Sequence, residues 1–410
     1  MSRRAPASRR TPAPRVLVLL LALLLPGRAA AQPATEAASD ARLHVGPLTF
    51  DPRLAIRNVG IDTNVFNDAE APVRDFTATI GPELDSWLRI GRLHWAGTST
   101  VGWNYFRTAR TQRSFDLGQN GRVSLDLGRL VPFARGSVLR ARQRPNLEID
   151  ARVRREMTEV GGGVELLLGA QTRLTAEHAV RDLRFDDGTA AGESLASALD
   201  RRETTNALGG RLVLTPLTTL VVEAEARADR FRHETTRNSD SVRLTGGLEL
   251  RPLALISGRA LVGARRLRPA SAVMPAFTGA VADVELAYQI RDLTRLTGLV
   301  QRDIDYSFEL AQAYYVSTGW RFSLVQMVGG GFDVVAHTGR TTLAYRARLD
   351  SDPDEAHRRD RVEVYGLGIG RRFVSGVRFG VDLEHVTRRS SVRTRTYEGL
   401  RGGGTITYGF

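Results

Sequence analysis

The stretch "LVVEAEARAD", Leu220–Asp229, decides the fold. Leu220, Val222, Ala224, Ala226 and Ala228 alternate with Val221, Glu223, Glu225, Arg227 and Asp229. Successive side chains of a strand point to opposite faces, so the segment has one apolar and one charged face. A helix is excluded, because positions three and four apart mix charged with apolar groups.

The same period returns along the chain. Val242, Leu244, Gly246, Leu248 and Leu250 alternate with Arg243, Thr245, Gly247, Glu249 and Arg251. Ala282 to Ile290, Arg295 to Gln301 and Val377 to Glu384 behave alike. A soluble sheet also alternates, but here small apolar residues oppose a dense mixture of Arg, Asp and Glu. The connections separate the two containers. Very short turns with apolar shoulders fall near Gly91, Leu130, Ala170, Pro216, Pro252, Asp292, Leu324 and Ser375. Between them lie longer polar connections such as "DDGTAAGESLASALDRR", "HETTRNSDS" and "DSDPDEAHRRD". Short turns alternating with long loops mark a transmembrane barrel, with its turns in the periplasm and its loops outside.

The spacing of the turns suits two membrane strands of roughly 9 to 11 residues each, plus loops. Eight turns join sixteen strands. A first strand near Leu54 to Thr63 and a last near Tyr397 to Phe410 raise the expectation to about 18, with 16 as the alternative. Met327 to Arg348 is read as one long strand, with two strands as the alternative, the least defined part of the count. The expected fold is an all-β, antiparallel, up-and-down transmembrane barrel. Its last strand must pair with its first, since an open edge is not tolerated in lipid. Trp95, Trp103, Tyr105, Tyr288, Tyr306, Tyr314, Trp320, Phe322, Phe379, Tyr408 and Phe410 all fall on apolar faces, as an aromatic girdle requires.

The start of the chain reads as an export leader. Arg3, Arg4, Arg9, Arg10 and Arg15 precede the apolar run Val16 to Leu25, and Ala29, Ala30 and Ala31 supply a cleavage site. The expected organisation is a signal peptide over 1–31, a short periplasmic segment over 32–47 and an outer-membrane barrel over 48–410. Removing the leader, which also contains Arg28, lowers the formal charge from +13 to +7. Every basic residue is arginine, and there is no cysteine, so disulfides and thiolate chemistry are excluded. The arginines are spread among acids along the whole chain, whereas a nucleic-acid binder gathers its basic residues in one patch.

Catalytic patterns are missing. The seven histidines, His44, His94, His178, His233, His337, His357 and His385, lack metal-ligand spacing. No G-x-S-x-G elbow exists, and the nearest string, "GTSTVG" at Gly97–Gly102, falls in a strand. Asp350, Asp352 and Asp354 imitate a calcium loop, but Glu355 and Arg361 stand where glycine and glutamate are needed. The runs "VGGGF" and "RGGGT" lack a phosphate-loop setting and read as wall glycines. What remains is the charged face. Glu223, Glu225, Arg227, Asp229, Arg243, Glu249, Arg259, Arg265, Asp283, Glu285, Arg295, Asp303, Asp305, Arg321, Arg378, Asp382 and Glu384 are the expected lumen lining. Such residues pair across strands and set selectivity, and their mixed sign argues against strong ion preference.

The stretch "LAIRNVGIDTNVFNDAEAPVRDFTATIGPEL" resembles the start of the putative beta-barrel porin 2 family, through Asp62, Asn64, Val65 and Phe66, with Thr63 where a second acid is common, and then Asp75. The hairpin "GGRLVLTPLTTLVVEAEA" is similar to that family's repeated hairpin. The resemblance implies an outer-membrane barrel of unassigned cargo, often associated with surface polysaccharide. By a further resemblance, Ile406, Tyr408 and Phe410 match the signal recognised by the barrel-assembly machinery. The expected function is porin-like passive diffusion of small polar solutes, without cofactors or catalysis. The alternative is a structural or accessory barrel linked to exopolysaccharide export or surface interaction. Expected partners are outer-membrane lipid, the assembly machinery and, in the alternative, polysaccharide-export components.

Overall fold

The computed structural model describes residues 43–186, 188–190, 192–252, 254–291, 293–351 and 358–409. The expected leader, 1–31, and most of the expected periplasmic segment, 32–47, therefore lie outside the described residues, as do Asp352, Asp354, Glu355 and Phe410. None of the described helices is long and apolar enough to cross a membrane.

The chain forms β1 (Leu43–Val45), β2 (Leu48–Asp62), β3 (Asp75–Ile90), β4 (Leu93–Phe106), β5 (Ser114–Leu125), β6 (Leu130–Gln143), β7 (Val153–Leu168) and β8 (Thr172–Phe185). A short excursion follows, with β9 (Thr189–Ala190), β10 (Glu193–Ser194) and the helical turn α1 (Leu195–Leu199). The wall resumes with β11 (Arg201–Thr215), β12 (Thr218–Phe231), β13 (Ser239–Leu250), β14 (Ile256–Pro269), β15 (Phe277–Ile290) and β16 (Thr294–Tyr306). It ends with β17 (Gln312–Val328), β18 (Phe332–Ala347), β19 (Arg359–Arg372), β20 (Val377–Arg389) and β21 (Tyr397–Tyr408).

Each wall strand pairs antiparallel with the next, β8 with β11 across the excursion, and β21 with β2. The wall is thus a closed barrel of 18 strands, and β1 is a short extra strand on β2. Closure removes every edge, the condition a sheet must meet in lipid. The expected fold and strand count are borne out. One turn is displaced: β17 runs straight through Leu324, and the chain reverses at Gly329, Gly330 and Gly331. Gly330 and Gly331 have φ of +75° and +79°, where a side chain is strained. The "VGGGF" run is therefore the eighth tight turn rather than a stretch of wall, and Met327 to Arg348 is not one long strand but the end of β17, this turn and β18. The first strand also starts earlier than expected, at Leu48.

Large apolar side chains on one face of the strands stay exposed, among them Leu208, Val242, Leu244, Val262, Leu367, Ile369, Val381 and Leu383. On a closed barrel this outward apolar face is the lipid-facing band. Ile406 and Tyr408 fall on it, for Thr405 on the opposite face donates to Asp382 Oδ2 at 2.5 Å.

The Asp62–Phe66 motif staples the closing seam at the end bearing the long loops. Asn64 Nδ2 donates to Asp68 O at 2.8 Å and to Glu398 O at 3.1 Å, and Asn64 Oδ1 accepts from Asp68 N at 2.9 Å. Asp62 accepts from Asn64 N at 2.9 Å and from Arg401 at 3.1 Å. Asp75 accepts from the N–H groups of Phe76, Thr108 and Ala109, which fixes the next loop. The motif that carries the family resemblance is a set of loop caps, satisfying backbone groups that the ladder leaves over.

The long connections are not merely solvated. Ile149, Leu195, Ala198, Leu199, Met274 and Phe308 pack with Phe185, Phe231, Leu267, Tyr306 and Tyr314 into one buried cluster at the loop end. Tyr306 and Tyr314 thereby depart from the expected girdle: both are almost fully buried.

Candidate functional site

Strand register puts all seventeen expected lining residues on one face. Glu203 pairs with Asp229, Glu225 with Arg243, Arg243 with Arg265, Arg259 with Glu285, Arg295 with Val325, and Asp382 with Gly368. Residues opposite one another in a ladder share a face. Ion pairs show that this is the concave face, since many leap over an intervening strand. Arg259 on β14 reaches Glu223 on β12 at 2.7 Å, and Arg265 on β14 reaches Asp303 on β16 at 3.0 Å. Arg211 on β11 meets Glu249 on β13 at 3.6 Å, and Arg378 on β20 meets Asp333 on β18 at 2.5 Å. Glu384 on β20 meets His337 on β18 and Arg401 on β21. Glycines make room: a side chain at Gly366, Gly368 or Gly370 of β19 would collide with His337, Asp382 or Arg378.

The same wall continues through strands whose charges the sequence reading did not single out. Glu159 binds Arg135 and Arg181, and Glu203 binds Arg181, Arg201 and Arg227. The signal was present, since β7, β8 and β11 alternate as β12 does. Among the described residues no group of His, Asp or Glu has the geometry of a metal site. "GTSTVG" lies inside β4, and Thr98 there donates to Asp85 at 2.6 Å.

The feature that sequence did not reveal is a wedge. Residues 144–152, between β6 and β7, turn inward and cross the barrel at its loop end. Asn146 Oδ1 accepts from the N–H groups of Glu148 and Ile149 at 3.0 and 2.9 Å, which folds the tip back on itself. Arg144 donates to Val65 O at 2.7 Å, tying the wedge to the loop that carries the motif. From the β20–β21 side, Arg388 donates to the carbonyls of Leu147 and Glu148, and Arg395 to that of Glu148. Both also pair with Asp150, at 3.0 and 3.3 Å.

The far end of the wedge meets the β16–β17 loop, on the opposite side of the barrel. Ser307 Oγ donates to Glu148 Oε1 at 2.5 Å, and Phe308 N to Oε2 at 3.1 Å. Glu309 in turn pairs with Arg358 and Arg395. Arg237, from the β12–β13 loop, donates to the carbonyls of Ala198, Ser307, Glu309 and Gln312, clamping three connections together. Glu148, Arg237, Ser307, Phe308, Gln312 and Arg388 have no exposed surface. Nearer the tight turns, the side chains of Arg211 and Glu249 keep 38% and 31% exposure. The loop end of the lumen is therefore packed, while at the turn end part-exposed charges stand beside buried Val221, Val325, Val335 and Asp333 on the same inner face.

Burial pushes the Glu148 carboxyl up to about 8, against the pull of its bond from Ser307, and Glu309 adds to the push. Burial likewise pulls the Arg237 guanidinium down to about 10. The nearby guanidiniums spend their bonds on the Glu148 carbonyl and on Asp150, so the carboxyl is held by neutral donors.

Residues 41–403 match the profile of the family described as Putative beta-barrel porin 2. No curated protein matches. Several solved structures are similar over most of the chain at low sequence identity. OpdK from Pseudomonas aeruginosa, crystallised with vanillate, is 10% identical, with 88% of this chain and 98% of that chain covered and a TM-score of 0.46. OccK2 (OpdF) from Pseudomonas aeruginosa, in complex with glucuronate, is 12% identical, with 88% and 97% covered and a TM-score of 0.47. A BenF-like porin from Pseudomonas fluorescens Pf-5 is 11% identical, with 88% and 98% covered and a TM-score of 0.48.

Proposed function

We propose, for a chain that belongs to the Putative beta-barrel porin 2 family, a passive outer-membrane channel for small polar solutes, constricted at its loop end by the 144–152 wedge. The observation that supports it is the concave face on which arginines and carboxylates pair across strands, with Arg211 and Glu249 part-exposed toward the turn end. Such a wall offers donors and acceptors to a hydroxylated or zwitterionic solute and favours neither sign of ion. A closed barrel of this size has room for an aqueous lumen. The seventeen lining residues select, and the wedge limits size. No step of this function requires a cofactor or catalysis. Ile406 and Tyr408 serve the assembly machinery during insertion.

A second reading follows from the wedge itself. Fully buried groups at the loop end favour a barrel whose resting state is shut and which works as an accessory to polysaccharide export or surface contact. Single-channel conductance of the refolded protein in a planar bilayer separates the two. Regular steps, blocked in part by added sugars, support the channel. A folded, inserted protein that stays silent from pH 5 to pH 9 and after the wedge is replaced refutes it.

A further inference from the structure

The loop-end rim of the outward face loses its acids over three strands. From β6 to β13 outward arginines stand beside carboxylates. Arg140 meets Glu156 at 2.8 Å, Arg202 and Arg232 meet Asp182 at 3.0 and 2.6 Å, and Arg230 meets Asp240 at 2.6 Å. Register places Arg266 and Arg268 of β14 and Arg302 of β16 on the same face, in line with lipid-facing Val242, Val262 and Val300. On β14, β15 and β16 that face carries no acid. Asp240, opposite Arg268 on β13, is the carboxylate already held by Arg230. Among the described residues none of the three arginines forms an ion pair, and Arg266 and Arg268 are exposed. Arg361 and Arg389, opposite one another on β19 and β20, also lack one, but Glu363 and Glu398 share their face.

Arg302 completes the group from β16. The last rung between β15 and β16 at the loop end is Ala282 opposite Arg302, and beyond it the two strands run on without pairing to each other. Arg302 bends over this gap, where Nε donates to Ala280 O at 3.1 Å and Nη1 to Thr318 Oγ1 at 2.5 Å. Ala280 lies opposite Ala264, two residues from Arg266 on β14. The bend thus carries the charge of Arg302 toward Arg266 and Arg268, an arrangement of like charges that an anion between them would stabilise. Thr278, opposite Arg266, and Thr318, opposite Arg302, add exposed hydroxyls. Toward the turns the same face becomes apolar, with Val262, Val300, Trp320 and Phe322 exposed. A cationic rim therefore borders a lipid-facing apolar surface.

We propose that Arg266, Arg268 and Arg302 bind the phosphomonoester head of an acylated lipid in the loop-side leaflet, with its chains laid on Val262, Val300 and Trp320. Guanidiniums hold phosphate through paired, charge-assisted hydrogen bonds. A phosphomonoester carries about −1.5 to −2 charge at pH 7, which offsets more of the positive charge than the single charge of a phosphodiester. Arginines beside a bilayer attract anionic headgroups, and the attraction falls off within a few ångströms of the surface, so their place at the rim favours a lipid over a free anion. The apolar surface below has a use only if chains accompany the head. This site lies on the outside of the wall and is independent of whether the lumen conducts.

The test uses the full chain, refolded and freed of lipid in detergent, and an acylated glucosamine disaccharide bearing one phosphomonoester. Native mass spectrometry counts the lipid retained. The unaltered protein should keep this lipid, and should keep its dephosphorylated form and phosphatidylglycerol several-fold less well. Arg266→Gln with Arg268→Gln should lower retention several-fold, as should Arg302→Gln alone. Arg266 and Arg268 make no ion pair within the described fold, so the double variant should still show the heat-modifiable band. Arg140→Gln, which removes an arginine already paired with Glu156, should leave retention unchanged. Equal retention of the dephosphorylated lipid or of phosphatidylglycerol overturns the proposal, as does a folded double variant that binds like the unaltered protein. Displacement of the lipid by excess inorganic phosphate also overturns it, for it would mark a site for a free anion.

Discussion

Glu148 links the chemistry of one carboxyl to the state of the barrel mouth. Its folded-state value of about 8 lies above the ordinary 4.5, so the neutral acid is the form that the wedge holds. The wedge's contribution to stability is therefore complete below about pH 4.5 and is lost as pH rises through about 8. The groups facing the carboxyl are Ser307, the Phe308 N–H and Glu309 from the β16–β17 loop, Tyr315 of β17, Tyr345 of β18, Arg395 near the β20–β21 loop and Arg237 opposite. Openings should be rare at pH 5 and frequent at pH 9, and Glu148→Gln should stay closed throughout. Conductance recorded at the two pH values checks this, and equal open times in the unaltered protein would contradict it. Arg237 acts differently, as a clamp on four carbonyls. Arg237→Met removes the side-chain donor from these carbonyls, of which that of Glu309 keeps a backbone partner, the Gln312 N–H, and should lower stability by roughly 3 kcal/mol, measured by denaturant unfolding in detergent.

At the scale of elements, the wedge and the wall are separable. The wall is held by its ladders, whereas residues 144–152 are held by caps and ion pairs to other connections. Replacing 145–149 with a short Gly–Ser segment should leave the strands and the heat-modifiable migration intact while raising the unit conductance. A smaller conductance, or loss of folding, would show that the wedge supports the wall instead of narrowing it. The strands were legible because period two survives any tertiary context, as in Leu220–Asp229 and Val377–Glu384. The turn at Gly329–Gly331 was not, because three glycines carry no face and fit a turn as well as a wall. The wedge was hidden for a related reason. "RPNLEIDAR" is short and polar enough for a solvated loop, and only its neighbours in space bury Ile149 and Glu148.

At the scale of the whole molecule, closure depends on a close approach. β2 slips register between Ile56 and Val59, with Asn58 at φ +54°, and there a side chain at Gly60 would strike the backbone of Gly402 and Gly403. Gly60→Val should prevent the last strand from zipping, seen as loss of the compact, heat-modifiable band on gels. Normal folding of that variant would mean that the seam can widen. The mixed lining makes a second global prediction. Because arginines and carboxylates pair around the whole wall, the reversal potential in a salt gradient should lie near zero. A strong preference for either sign would show that part of the pairing is broken in the open state.

By itself the sequence determined the all-β period, the antiparallel barrel, the strand count of about 18, and the face on which Glu223, Arg265 or Glu384 would lie. Each of these is local, repeated every second residue, and enforced by a lipid that tolerates neither open edges nor outward charge. It also marked Asp62, Asn64 and Asp75, though not that they are caps. Tertiary structure alone decided which arginine meets which acid across an intervening strand, which loop enters the lumen, and where the ladder between β15 and β16 stops. Those outcomes depend on curvature and on contacts between residues as distant as Glu148 and Arg395, and no local pattern encodes them.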